Sequence, residues 1–205
     1  MVGALGLVGV DLWTKSWAEE RLSSERLGPR PAVCASDGDG LIRYQRVRRP
    51  GIEIITDYFE LDYAENCGAA FGLLRGAPTA VRTSVFGVAA VVATIVLLSL
   101  FVQGRGGPWF AWSVPLVIAG ALGNLFDRVR YGYVVDFIHV HLRDATVDLP
   151  VVGTIPLDWP TFNVADIAIS IGVVLLLIDG FGKENNPAAA QGEPKKGSDQ
   201  PAEAA

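Results

Sequence analysis

The run "VFGVAAVVATIVLLSLFV", Val85 to Val102, contains no charged residue. Its length is close to the ~20 residues that carry a helix across the hydrocarbon core of a bilayer, so it reads as a membrane span. Two further stretches repeat the signature. Trp109 to Phe126, "WFAWSVPLVIAGALGNLF", is uncharged and follows the turn-like "QGRGGP"; Phe162 to Ile178, "FNVADIAISIGVVLLLI", carries Asp166 as its one charge. The start of the chain, "MVGALGLVGVDLWTKSWAEERL", is a fourth candidate in which ten uncharged residues precede Asp11. At ~1.5 Å per residue, Met1 to Trp17 reaches only ~26 Å, so this helix either tilts little or continues through the amphipathic "WAEERL". It has no basic n-region and no small-residue cleavage site, which argues against a cleaved signal peptide.

The whole composition agrees with a membrane protein. Half of the 205 residues are hydrophobic and 19% are charged, against about 25% charged in an ordinary soluble chain. A net charge of -5 leaves no Lys/Arg-rich face to neutralise phosphates, so nucleic acid is excluded as a partner.

Between the spans lie two polar excursions. Residues 19–78 include "LIRYQRVRR" and "IEIITDYFEL", β-formers with partial alternation and Pro50-Gly51 as the turn between them, which predicts a small strand-rich cap. Residues 138–160, with Pro150, Pro156 and Pro160, form a second excursion on the same side, because two spans separate the two. The tail from 183 to 205 is Pro, Ala, Gly and charge without periodicity, the composition of a disordered segment. The expected architecture is an all-α membrane core of four transmembrane helices, residues 1–182, capped outside by strands. Counting arginines alone puts the eight of residues 19–78 in the cytoplasm, but that rule weakens as a loop lengthens towards ~60 residues.

Four short blocks carry chemistry. "DLWTK" places Asp11 and Lys15 at i, i+4 on one helix face, where they either pair to close a helix interface or serve a site. "ENCGAAFG" sets Asn66 beside Gly68 in a run of small residues, the mark of close backbone approach or of tight packing. "GNLFDR" aligns Asn124, Asp127 and Arg128 at i, i+3 and i+4, an amide, a carboxylate and a guanidinium on one face that resembles a polar clamp. "FNVAD" puts Asn163 and Asp166 three apart, with twelve uncharged residues after Asp166. An ionisable residue at the end of a span is a functional hypothesis by default, with a helix cap or an ion pair to Arg128 as its structural alternative.

Cleaving a peptide bond without a nucleophilic side chain or metal needs one group to take a proton from water and another to give one to the substrate carbonyl. Two carboxyls held together do both, because they cannot both ionise at close range and so share a proton. Asp136, just outside the Trp109 to Phe126 span, and Asp166, at the start of the last one, are the natural pair. Asn124 and Asn163 are amides suited to fixing their geometry.

In this order, "DLWTK", "NCGAAFG", "GALGNLFDRVRYGYVVDFI" and "FNVADIAISIG" resemble the motif set of bacterial lipoprotein signal peptidase, the type II signal peptidase. The resemblance implies an aspartyl endopeptidase of the inner membrane with its site at the outer face. It implies cleavage of prolipoproteins just before a diacylglyceryl-modified cysteine, with no metal and no organic cofactor. Carried over by motif, Asp136 and Asp166 are the catalytic pair and Asp127 supports them. Asn66, Gly68, Asn124, Arg128 and Asn163 shape the site and hold substrate backbone, and Asp11 and Lys15 match the first-helix pair. The expected partners are the lipid-modified precursor and membrane lipid, and the chain is expected to be a monomer. It departs from the family at Ala119, where a second glycine is usual, and in longer polar excursions.

Other constellations point elsewhere. His139 and His141 in "DFIHVH" are two apart with Asp136 nearby, the start of a metalloprotease ligand set, but no third ligand stands at a convincing spacing and there is no H-E-x-x-H helix. Cys34 and Cys67 are the only cysteines, both on the expected outer side, where a disulfide is permitted. A non-enzymatic membrane accessory protein would use the same buried charges for assembly.

Overall fold

A computed structural model describes residues 2–27, 46–67, 79–149 and 153–184. Among these residues there are four helices: α1 (Val2–Leu22), α2 (Thr79–Val102), α3 (Pro108–Tyr131) and α4 (Val164–Glu184). Between them run β1 (Ser23–Arg26), β2 (Arg46–Arg48), β3 (Ile52–Ile55), β4 (Phe59–Asn66), β5 (Val134–Leu149) and β6 (Gly153–Asp158).

Among the described residues, three helices are long and apolar enough to cross a membrane, over Ser84–Val102, Pro108–Tyr131 and Val164–Phe181. No residue of the first of these runs is buried inside the molecule. A face of this kind, with Val88, Val92, Ile95 and Val102 exposed, is far larger than a water-soluble monomer presents. The chain is a multi-pass membrane protein. The expected fourth span falls on α1, which forms a helix of 21 residues but interrupts its apolar run with Asp11 and Lys15, so it does not carry the same uncharged signature.

Helices α3 and α4 form the tightest pair because small residues let the backbones meet. A side chain at Gly120 would strike the carbonyl of Ala165 and the side chain of Ile169, and one at Gly123 would strike the carboxylate of Asp11. Ala119 is itself fully buried, so its methyl group is accommodated at this contact. α3 ends at Tyr131 because Gly132 adopts a left-handed conformation, φ 86°, and returns its N–H to the carbonyl of Arg128 at 3.0 Å. That turn throws the chain directly into β5.

The two polar excursions, expected on the same side, share a sheet. β3, β4, β5 and β6 form one antiparallel sheet in that order, so residues from 52–66 and from 134–158 share a single structure. Pro50 and Gly51 separate two strands, but β2 and β3 belong to different sheets, and β2 pairs with β1 instead. The hairpin turn lies at Asp57, φ 65°, between β3 and β4, where the Tyr58 N–H donates to the carbonyl of Ile55 at 3.0 Å. Beneath the sheet, Tyr63, Tyr133, Val135 and Phe137 pack against Ala18 and Leu22 of α1, which fixes the sheet on the helix ends.

Candidate active site

Asn163 stands just before α4 and organises its first turn. Its side-chain Oδ1 accepts the N–H of Asp166 at 3.0 Å, while Asp166 Oδ2 accepts the N–H of Asn163 at 3.3 Å. This reciprocal capping satisfies two amides that a helix start leaves open. It also fixes the Asp166 carboxylate in place. The Asn163 Nδ2 is then free to turn outward from the helix, and it donates to Asp136 Oδ1 on β5 at 2.6 Å.

Each aspartate is held by a second amide. Asn66, on β4, donates to Asp136 Oδ2 at 3.0 Å, and Asn124, on α3, donates to Asp166 Oδ1 at 2.8 Å. Asp136 is fully buried. Burial pushes its carboxyl up to about 8, and the neighbouring Asp166 charge pushes in the same direction, while the amides of Asn66 and Asn163 pull it back in part. Burial thus favours the protonated form of Asp136 beside a second carboxyl group. That is the electrostatic condition for an acid and a base in one site.

A buried cation underlies the pair. Lys15 Nζ lies 2.9 Å from Asp11 Oδ2 and 3.2 Å from Asp127 Oδ2, and it donates to Asn124 Oδ1 at 2.8 Å. Both carboxylates have further work. Asp11 Oδ1 accepts the N–H of Ala165 in the first turn of α4 at 2.9 Å, and Asp127 Oδ2 accepts the N–H of Val135 at 3.1 Å, one residue before Asp136. Lys15, Asp11 and Asp127 thus join α1, α3, α4 and β5 in a buried network next to the carboxyl pair.

The clamp expected on α3 divides. Asn124 and Asp127 face Lys15, but Arg128 turns towards α2, its guanidinium 4.7 Å from the centre of the Phe86 ring, and it donates to the Asn124 carbonyl at 3.2 Å. Gly68 lies outside the described residues, as does Cys34. Cys67 is disulfide-bonded. His139 stands three residues from Asp136 on β5, hence on the other face of the strand, so the histidines and the carboxylate pair do not converge.

One residue escaped the sequence reading. Asp179, near the far end of α4, accepts the N–H of Gly107 at 2.9 and 3.1 Å and that of Phe110 at 3.3 Å, and so caps the start of α3 from another helix. In sequence it is only a charge after an apolar run. The signal that could have found it is the uncapped Gly-Gly-Pro start of α3, which needs an acceptor from elsewhere.

Apolar spans with two amide-held carboxyls at their sheet-capped end define a membrane protein of the aspartic-peptidase kind. The match to known proteins makes this specific. The family model for signal peptidase (SPase) II matches residues 4–182, and the chain belongs to that family. It is a membrane protease. The chain is 33% identical over 199 residues to the lipoprotein signal peptidase of Anaeromyxobacter sp. (strain Fw109-5), covering 91% of this chain and 87% of the relative. It is 40% identical over 133 residues to that of Thermodesulfovibrio yellowstonii, covering 65% and 78%. A bacterial membrane enzyme solved by the in meso method superposes with a TM-score of 0.59 at 26% identity, covering 94% of this chain and 92% of the other.

Proposed function

We propose that Asp136 and Asp166 are the catalytic pair with which this chain cuts prolipoproteins immediately before a diacylglyceryl-modified cysteine. Removal of signal peptides from prolipoproteins follows from the family; the residues and the cleavage point are our reading. The observation that carries it is the buried Asp136 tied through Asn163 to Asp166.

The carboxylate of the pair takes a proton from water as the oxygen attacks the scissile carbonyl carbon. The carboxylic acid gives its proton to the carbonyl oxygen. The tetrahedral diol then collapses: the C–N bond breaks, the leaving nitrogen receives a proton, and the pair returns to its one-proton state. No covalent enzyme intermediate forms. The four amide contacts hold both carboxyls still while this happens, so little reorganisation accompanies the transition state. Asp11, Lys15 and Asp127 position the pair rather than react, and Asn66, Asn124 and Asn163 orient it. Arg128 and Gly68 belong to the walls of the site on the family motif alone.

On this reading α1 is the fourth span. At ~1.5 Å per residue its 21 residues reach ~32 Å, about the thickness of the hydrocarbon core. Its charges face protein, with Asp11 and Lys15 both buried. Four spans put both termini in the cytoplasm and the sheet outside the inner membrane, with the carboxyl pair at the outer surface. A diacylglyceryl chain keeps the substrate cysteine in the bilayer, so the scissile bond reaches the enzyme at that depth. The active unit is a monomer, and nucleic acid has no part in it.

The test is cleavage of a lipid-modified precursor by purified protein in detergent, with the same precursor lacking the lipid as control. Cleavage of the lipidated form alone is expected. Equal cleavage of both refutes the lipid requirement, and cleavage of neither refutes the assignment.

A further inference from the structure

Glu60, His139, His141 and Asp158 lie on three adjacent strands and on one face of the sheet. Register dictates this: Glu60 of β4 stands opposite His139, and Asp158 of β6 stands opposite His141. Directly opposed residues share a face, as do residues two apart on one strand. The two imidazole rings are 4.8 Å apart between centres, and one ligand atom from each of Glu60, His139 and His141 lies within 4.8 Å of the others. His139 Nδ1 is 2.8 Å from Glu60 Oε1, and its Nε2 is 2.6 Å from Asp158 Oδ1. His141 Nδ1 is buried without a hydrogen-bond partner. A buried ring nitrogen left unpaired next to a histidine that two carboxylates hold calls for an explanation.

We propose that Glu60, His139 and His141, with Asp158 beside them, form a binding site for a divalent transition-metal ion of the zinc class, separate from the carboxyl pair. Two imidazoles with carboxylate oxygens are the donor set that Zn²⁺ favours, and two carboxylates match its charge. A tetrahedral set with bonds of ~2.1 Å has its donors about 3.4 Å apart, so these atoms draw together by roughly an ångström. Rotation of partly exposed side chains provides that movement. The ion gives the unpaired His141 nitrogen a partner. Because Asp136 lies three residues away on the opposite face of β5, the ion takes no part in peptide hydrolysis. Its effect is to tie β4, β5 and β6 together beneath the strand that carries Asp136.

The experiment uses the full chain in detergent, stripped of metal and titrated with Zn²⁺ alone, read by calorimetry and by thermal unfolding. One ion per chain and a raised Tm are expected, with no rise from Ca²⁺ or Mg²⁺. Glu60→Gln and His141→Ala should each weaken binding at least about tenfold, while Asp136→Asn binds as the wild type does. Co²⁺ in place of Zn²⁺ should give the visible absorption of a tetrahedral nitrogen–oxygen site, lost in His141→Ala, a readout that does not depend on the stability of the variant. Absence of Zn²⁺ binding by the wild type overturns the proposal. So does undiminished binding by both variants, or loss of binding in Asp136→Asn.

Discussion

Asn163 touches both aspartates: its side-chain amide donates to Asp136 at 2.6 Å, and its backbone N–H faces Asp166 at 3.3 Å. The same residue caps α4, so the geometry of the carboxyl pair and the start of a membrane helix are set by one side chain. A third contact of that amide, to Asn124 Oδ1 at 3.2 Å, ties in α3. The pair is thus positioned by residues from three elements meeting at one asparagine.

Asp136→Asn and Asp166→Asn should each abolish turnover while the protein still inserts and folds, since asparagine keeps size and hydrogen-bonding capacity but not the shared proton. The double variant should be no worse than either single one, because residues that act as a unit are strongly non-additive. Purified variants with matched thermal stability, assayed for precursor cleavage, check this. Appreciable turnover by either single variant refutes the pairing.

The pH dependence follows from the raised Asp136. Its folded value is about 8, against an ordinary 3.8. Between these values the folded chain holds a proton that the unfolded chain releases, so this contribution is full below the ordinary value and is lost as pH rises through the folded one. Thermal stability in detergent should therefore fall from pH 5 to pH 8 and level off above, with a flatter profile in Asp136→Asn. Cleavage should fall on the alkaline side as the pair loses its last proton, with an apparent value that belongs to the pair. An Asp136→Asn stability profile identical to the wild type would contradict the assignment.

Lys15→Met and Asp127→Asn separate positioning from chemistry. Removing the ammonium leaves Asp11 and Asp127 buried beside each other without a cation, a loss of ~3–5 kcal/mol. Asp127→Asn removes one charge but keeps an acceptor for the Val135 N–H, so it should lower activity only in part, with some loss of stability. Chemical unfolding with parallel activity assays measures both. Complete inactivation of Asp127→Asn at wild-type stability would move Asp127 into the reacting pair.

Asp179→Ala removes the cap of α3 at the end of the helices away from the carboxyl pair. A stability loss of about 1–2 kcal/mol is expected, with turnover little changed at a temperature where both proteins are folded. Thermal unfolding and cleavage rates together test it, and an unchanged Tm would count against the cap.

What could be read from residue order alone was local. The uncharged runs at Val85–Val102 and Trp109–Phe126 announce their helices, and the spacing of Asn163 and Asp166 fits a helix start. The motif resemblance pointed to every amide now found on the two aspartates. The sheet was hidden because Glu60 and His139 pair across 79 positions, and no local pattern encodes so distant a register. The direction of the Arg128 side chain was not legible for another reason: position on a helix face does not say which way a long side chain bends, and its guanidinium lies over the Phe86 ring of α2. α1 sat at the margin because its charges lower the hydropathy of the run, while the partners that bury them include, besides the Asp11–Lys15 pair itself, Asn124 and Asp127 more than a hundred positions away.

Asp166 and Asp179 are thirteen residues apart on α4, ~20 Å along its axis, and each fastens α4 to α3. Two fastenings at that separation hold the helices together at both ends. α2 meets α3 through the Phe86 ring, 4.7 Å from the Arg128 guanidinium, and none of the residues of its apolar run is buried. The build is therefore lopsided: the aspartates sit beside a doubly fastened pair of helices, while α2 turns its whole apolar run outward.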